Sequence, residues 1–439
     1  MTPQASTAVE AVHDTKLTAK GRKAIIAGGI GNAVEFVDWA VYTTFSSVFA
    51  HHFFPKGDPV AALLATLAIF AVGFLMRPVG AAVMGAYADR HGRKKGLVLT
   101  IGLMAAATLV IGLAPTYEMV GLLSPVILVA CRVVQGFSAG GEFGSSSAFL
   151  VESAASKRRA FAGSWQQVSV GAGVLVASGL GAILTSSLSK EALDSWGWRV
   201  AFIFAALLGL VGLWLRSSVA ETDSFVKAQE RSKTSGEPRR NAVWTMFVQH
   251  PKATLRVFGI TIAGTLLYYI WISYMPTYAA LATGIPLSQA LVANFLAIGV
   301  FLILLPFAGI LSDKIGRKPT MTAFAGGFLL FSWPAFTLMN GNFWMLLLIE
   351  LIGVIFLLGY SANCAAIMAE QFPAEIRATG IGLPYALAVA VFGGTAPYIT
   401  TWMTTNGLGG LVWLYCSAAA AIGVSVYLTM KETKGKDLD

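Results

Sequence analysis

Two stretches of this chain decide its fold: GAYADRHGRKK at Gly85–Lys95 and GILSDKIGRKP at Gly309–Pro319. They share the order glycine, acid, glycine, basic residues, and they stand 224 positions apart. A second pair of marks follows. Glu152 has Arg159-Ala160 seven residues on, and Glu370 has Arg377-Ala378 seven residues on. The residue types have a mechanical reading. Gly85 and Gly309 let two helices approach closely, and Gly92 and Gly316 permit a tight turn. Asp89 and Asp313 can receive an arginine or cap a neighbouring helix. Arg93 and Arg317 can bridge to Glu152 or Glu370 and hold one face closed. A lone basic loop would be no more than an anchor. Two copies at matching places mark an internal repeat, with Asp89, Arg93, Glu152, Arg159, Asp313, Arg317, Glu370 and Arg377 as the expected gate.

The sequence around these motifs is apolar. Of 439 residues 56% are hydrophobic and 12% charged, where a soluble domain would carry about 25% charge. Runs such as Gly96–Ala114, Val200–Leu215 and Leu408–Met430 are near the roughly 20 residues that cross a hydrocarbon core. They do not alternate polar with apolar residues as barrel strands do. The chain therefore reads as an all-α polytopic membrane protein. Twelve spans are expected at 24–50, 59–86, 96–114, 121–151, 161–187, 198–216, 253–281, 287–311, 320–340, 343–371, 379–405 and 408–430. They divide into a tail (1–23), a six-helix bundle (24–216), a polar linker (217–252), a second six-helix bundle (253–430) and a short tail (431–439).

The basic residues orient this layout. Twelve spans put both termini on one side. Of the 31 lysines and arginines, 26 fall in the segments of that side. Only Lys56, Lys190 and Arg199 fall opposite, and Arg77 and Arg132 lie inside spans. Positive loops stay cytoplasmic, so both termini are expected inside a bacterial inner membrane. The net charge of +9 is thus a topology signal and not a nucleic-acid footprint. No cleaved signal peptide is expected in the polar stretch 1–23. Cys131, Cys364 and Cys416 sit in apolar runs and read as packing residues. No GxxxxGK[ST], HExxH or GxSxG occurs, so nucleotide-driven, zinc-hydrolase or serine-hydrolase chemistry is not indicated. No cofactor or metal is expected, and the protein is not expected to be an enzyme. A monomer in the lipid bilayer is the expected state.

The repeated motifs and twelve-span layout resemble the major facilitator superfamily over essentially the whole chain. The strings GNAVEFVDWAVY in helix 1, FLMRPVGA in helix 2 and RVVQGFSAGGEFG in helix 4 resemble its metabolite–proton symporter branch. WGWR before helix 6, AEQFPAEIRATG at the 10–11 loop and AVFGGTAPY in helix 11 do the same. That branch includes permeases for 2-oxoglutarate, citrate, shikimate and proline or betaine, and this chain looks most like the first two. The aromatic residues in Phe36-Val37-Asp38-Trp39 depart conservatively from the branch pattern and leave its acids in place. The resemblance implies a major facilitator fold of two pseudo-symmetric halves that imports a small organic acid with a proton. A zwitterionic osmoprotectant is the alternative. In this branch the osmosensing member carries a long C-terminal coiled coil, and only nine residues follow Met430 here; the carboxylate is therefore favoured.

Charges inside the spans locate the expected site. An ionisable side chain at bilayer depth costs at least about 2.5–3.5 kcal/mol, so it persists when paired, hydrated or functional. Asn32, Glu35, Asp38, Trp39 and Tyr42 share about 120° of helix 1. Arg132, Gln135 and Glu142 share about 80° of helix 4. Arg77 lies in helix 2. An arginine fork binds a carboxylate through two hydrogen bonds, so Arg77 and Arg132 point to a carboxylated substrate. The resembling permeases carry arginine at both positions. Asp38, then Glu35 and Glu142, are the expected proton carriers, because burial and a nearby arginine pull a carboxyl in opposite directions. Gln135, Gln166 (or Gln167), Tyr268, Tyr269, Asn363 and Tyr385 are expected to finish the cavity. Glu350 is expected to reach water at the outer end of helix 10, and His51 and His52 to lie at an interface.

Overall fold

The computed structural model describes residues 19–91, 93–140, 142–152, 154–217 and 242–436. Among the described residues every regular element is helical. The first half holds α1 (Ala19–Phe53), α2 (Pro59–Met84), α3 (Arg93–Leu113), α4 (Leu123–Glu152), α5 (Ser156–Ser187) and α6 (Lys190–Leu215). The second holds α7 (Pro251–Thr283), α8 (Leu287–Ile315), α9 (Arg317–Leu338), α10 (Phe343–Ala369), α11 (Arg377–Thr405) and α12 (Gly409–Thr429). Ten are long and apolar enough to cross a membrane. The others, α1 and α3, complete the twelve. The polar stripe from Asn32 to Tyr42 lowers the hydropathy of α1, and α3 offers the shorter apolar stretch Val98–Leu113. Side chains such as Leu207, Leu210 and Trp214 on α6, and Ile303 and Phe307 on α8, are exposed, as a lipid-facing surface requires. Residues 218–241 of the expected linker lie outside the described residues. Its end forms a short helix, Ala242–Gln249, with Met246 buried.

Prolines set the irregularities that matter. The ladder of α2 breaks at Met76, where Pro78 cannot donate to Phe74, and Arg77 stands at that break. In α7 the π-helical turn Tyr269–Tyr274 contains Ile272, the carbonyl that Pro276 leaves unpaired. In α11 the π turn Val389–Gly393 precedes Pro397 in the same way. Wide turns of this kind are common at functional sites.

Glycines set the closest approaches. A Cβ on Gly136 would lie 1.8 Å from the carbonyl oxygen of Gly73, one on Gly80 1.9 Å from that of Phe137, and one on Gly140 1.9 Å from that of Arg77. So α2 and α4 touch backbone to backbone, which fixes where Arg77 starts. The halves meet along α5 and α8, where a Cβ on Gly309 would stand 2.8 Å from the Phe161 Cα. They meet again where α11 crosses α2 and α4, with Gly394 against Phe74 and Gly144 against the Ala378 carbonyl.

Glu350 differs from expectation. It is fully buried (0% exposed), because Trp271 from the π turn of α7 lies over it. The Trp271 indole donates to the Ile349 carbonyl (3.4 Å) and occupies the room that Gly353 leaves.

Candidate functional site

Helical spacing brings the first charge cluster together inside the N-terminal half. Asp38 of α1 pairs with Arg132 of α4 through Oδ2 and Nη1 at 3.2 Å. Thr108 of α3 donates to Asp38 Oδ1 (2.7 Å). Gln135, one turn beyond Arg132, donates to the same oxygen (3.0 Å) and to Thr108 Oγ1 (2.9 Å). Arg132 is completely buried and lies 3.8 Å from the Tyr42 ring centroid and 5.2 Å from that of Trp39. A space of about 400 Å³ reaches this cluster from between α1, α3, α4 and α6, and both Glu35 and Asp38 line it. The carboxylate of Asp38 thus has a cation and two neutral donors within one half.

Arg77 belongs to a different surface. Its Nη2 lies 3.6 Å from Glu35 Oε1, and its guanidinium stacks at 4.2 Å on Phe74 and 4.5 Å on Trp39. Its Nε and Nη2 form no close hydrogen bond, so the edge that would grip a carboxylate side-on is held only loosely by Glu35. Electrostatically it reaches Tyr269 and Tyr385 of the other half. These tyrosines line a central space of about 270 Å³ with Phe36, Gln167, Val170, Thr265, Tyr268 and Tyr360. Tyr385 stacks on Phe143 at 3.7 Å, and Tyr269 meets Phe74 edge-on at 5.2 Å. The hydroxyls of Tyr268, Tyr360 and Thr265 are buried without a partner, which leaves them as donors to that space.

The remaining expected site residues fall elsewhere. Arg132 and Gln135 face Asp38 and do not line the central space. Gln167 lines it and donates to Cys364 Sγ (3.1 Å). Gln166 is buried beside it with its amide nitrogen unpaired, and its carbonyl takes a bond from Asn32 (3.4 Å). Asn363 lies away from the space, at the break in α10, where it bonds Ser312, Thr320 (3.0 Å) and the Gly359 carbonyl (2.7 Å). Asp89, Arg93 and Glu142 are in helices, but their side chains lie outside the described residues.

The face where α1 begins and α12 ends is bridged between the halves. Asp313 of α8 accepts the backbone N–H groups of Ala160 (3.1 Å) and Phe161 (2.9 Å) at the start of α5. Arg317 pairs with Asp313 (2.7 Å) and Glu370 (3.3 Å). Arg377 pairs with Glu152 across the halves (2.5 Å), and Arg159 lies 4.0 Å from Glu370.

Sequence reasoning missed a further part of this face. Glu432 caps α9 by accepting the N–H groups of Arg317 (2.9 Å) and Lys318 (3.0 Å). Thr433 donates to Glu370 (2.5 Å), and Arg159 donates to the Lys436 carbonyl. The segment after α12 thereby straps both halves. The available signal was one acid set among Lys431, Lys434 and Lys436.

Two six-helix halves that close on a polar space within a lipid-facing shell define a polytopic membrane transporter. The chain belongs to the Major Facilitator Superfamily, whose family model matches residues 29–383. It is 35% identical over 434 residues to the alpha-ketoglutarate permease of Escherichia coli (strain K12), covering 97% of this chain and 98% of that one. It is 33% identical over 440 residues to the glycine betaine/proline/ectoine/pipecolic acid transporter of Dickeya dadantii (strain 3937), covering 98% and 87%. Its fold matches that of the E. coli xylose transporter in a partially occluded inward open conformation, with a TM-score of 0.70 at 21% identity over 95% of this chain and 99% of that one. The chain is a transporter and not an enzyme.

Proposed function

We propose that this transporter imports a small di- or tricarboxylate, of the 2-oxoglutarate or citrate type, by proton symport through alternating access. The observation that carries the reading is the buried Arg77 guanidinium, held only loosely by Glu35 at 3.6 Å and next to Tyr269 of the central space. A substrate carboxylate that displaced Glu35 would take Nε and Nη2 in parallel, while Tyr268, Tyr269, Tyr385 and Gln167 supply hydrogen bonds to its other oxygens. The Asp38–Arg132 pair is the coupling element. Protonation of Asp38 releases Arg132 from its counter-charge, and the reformed pair drives the proton off again. Glu35 links the two clusters, because it faces Arg77 and lines the space that reaches Asp38. The strapped face is the cytoplasmic gate, with both termini inside, in keeping with the positive charge on its loops. The alpha-ketoglutarate permease among the relatives supports the substrate class.

One observation favours a second reading. The central space is ringed by Phe36 and four tyrosines, and aromatic rings bind quaternary ammonium groups well. A betaine-type zwitterion would then set its carboxylate on Arg77 and its cation among the rings. Uptake of labelled 2-oxoglutarate, citrate and glycine betaine into proteoliposomes separates the two. Uphill accumulation of a carboxylate under an inward proton gradient, abolished by a protonophore, is the expected result. Accumulation of betaine alone overturns the substrate class, and accumulation indifferent to the proton gradient overturns the coupling.

A further inference from the structure

The C-terminal half holds a carboxyl that the scheme above does not use. Glu350 sits seven residues into α10, roughly 10 Å below its first turn, on the side opposite the strapped face. It is completely buried, and the polar group that reaches its carboxyl is the Asn294 side-chain amide. The elements packed around it bring no counter-charge. From α7 comes the Trp271 ring, and from α8 the Asn294 amide, while α9 contributes Phe328 and Phe331 around the same indole. The titratable groups of α7 look elsewhere: Tyr268 and Tyr269 face the central space, and the Tyr274 and Tyr278 hydroxyls pair with Thr401 and Thr404 of α11. The charged residues of these helices, Lys252, Arg256, Asp313, Lys314, Arg317 and Lys318, stand at their opposite ends. That end is level with Asn363, thirteen residues further along α10, or roughly 20 Å away. A bare carboxylate in such a place is strongly disfavoured, so in this closed arrangement Glu350 holds its proton.

Two contacts make this acid responsive rather than inert. Asn294 is one of the points where the halves touch on that side. Ser178 of α5 donates to its Oδ1 and to the Leu291 carbonyl, both at 3.1 Å, and the Asn294 amide donates to the Trp271 carbonyl (3.4 Å). Trp271 seals Glu350 from the back of a π turn that also carries Tyr269, which faces the central space at the front. Separation of α5 from α8 frees Asn294, and a shift of the π turn lifts Trp271. Either movement opens Glu350 to water.

We propose that Glu350, with Asn294, is a second proton-binding site, loaded and sealed by closure of the face opposite the termini. It rests on the proton-symport reading, and it adds one proton per cycle to the one carried by Asp38.

The test counts protons per substrate in proteoliposomes, from the imposed gradients at which net flux reverses, in sodium-free buffer. Wild type is expected to move two protons, Glu350→Gln one and Asp38→Asn one. The glutamine is isosteric with the protonated acid, so the fold is expected to survive. If it does not, Asp38→Asn alone decides, and a count of zero overturns the proposal. An unchanged count in Glu350→Gln overturns it too, as does flux that follows sodium in place of protons. In wild type the infrared carbonyl band of a protonated carboxyl should shift on substrate addition and be missing from Glu350→Gln. A band that ignores substrate marks a permanently protonated packing group and overturns the proposal. Wild type that moves no proton at all refutes the symport reading itself, a separate outcome.

Discussion

The roles of the two buried arginines separate most sharply in a paired substitution. Arg77→Ala removes the cation that faces the central space, and Arg132→Ala the one that faces Asp38. Arg77 has a side chain only 7% exposed and a bidentate edge held only by a 3.6 Å contact with Glu35. Losing one partner of a desolvated, hydrogen-bonded charge pair costs roughly 2–5 kcal/mol, or about 30- to 5,000-fold in affinity. Arg77→Ala should therefore lose carboxylate binding by that factor while its melting temperature falls less than that of Arg132→Ala, since the ion pair it breaks is the looser one (3.6 Å against 3.2 Å). Arg77→Lys should fall between, because an ammonium offers a point charge and not a fork. Arg132→Ala should behave in the opposite way. It strands Asp38 with only Thr108 and Gln135, and breaking a buried pair costs about 3–5 kcal/mol of stability. Adding Asp38→Asn should recover much of that loss. The assay is calorimetry with 2-oxoglutarate and citrate on both variants, alongside thermal unfolding. A folded Arg77→Ala protein that binds as wild type refutes the assignment. A normally stable Arg132→Ala protein that has lost binding would move the substrate to Arg132.

Three further outcomes follow from the packing. Gly136→Ala would drive a methyl group into the Gly73 carbonyl, and a loss of about 1–3 kcal/mol in unfolding free energy is expected; an unaltered melting curve would contradict the α2–α4 contact. Glu152→Gln breaks an ion pair whose acid is 44% exposed, so the open-to-closed ratio of the strapped face should rise only about fivefold. Asp313→Asn loses a bond to Arg317 and weakens two to backbone N–H groups, so about tenfold or more is expected. Spin-label distances across that face measure both, and equal shifts would refute the ranking. Burial pushes the Glu432 carboxyl up, but the N–H groups of Arg317, Lys434, Lys318 and Thr433 outweigh it and hold the carboxyl below its usual range. A lowered folded-state pKa stabilises above the unfolded value and is lost as pH falls through the folded one. The strap should therefore resist trypsin at Lys434 and Lys436 at neutral pH, be open throughout in Glu432→Ala, and in wild type loosen only as pH falls through the lowered Glu432 value. Equal cleavage of Glu432→Ala and wild type at neutral pH would rule out the cap.

Much of this was legible in the sequence, for definite reasons. The twelve spans and the family follow from apolar run length and the duplicated motif, since lipid permits few other solutions. Asp38, Arg132 and Gln135 could be set at one depth by counting residues at 1.5 Å each. What counting could not supply is which neighbour a helix face meets. Arg77 and Arg132 look equivalent in sequence, yet the one at the break before Pro78 meets Glu35 and the Phe74 and Trp39 rings, while the other meets Asp38. Asn363 reads as a cavity amide, but the break in α10 turns it to Ser312 and Thr320. Glu350 reads as interfacial because it lies near the start of a span. Its burial depends on a tryptophan about eighty residues earlier in the chain, which periodicity does not reveal. Glu432 lies in a polar hexapeptide with no pattern to distinguish cap from solvent.

The wide turns of α7 and α11 behave like dislocations in a crystal lattice. Each holds one residue more than its helix needs, and such a surplus can be handed along the chain one hydrogen bond at a time. Every step rotates the intervening side chains by about 100° and never leaves more than a few backbone groups unpaired in lipid. A sliding defect can therefore re-aim Tyr269 and Trp271 together at little energetic expense. Large movements of the two halves would then begin as a small error in register, carried along two helices at the seam.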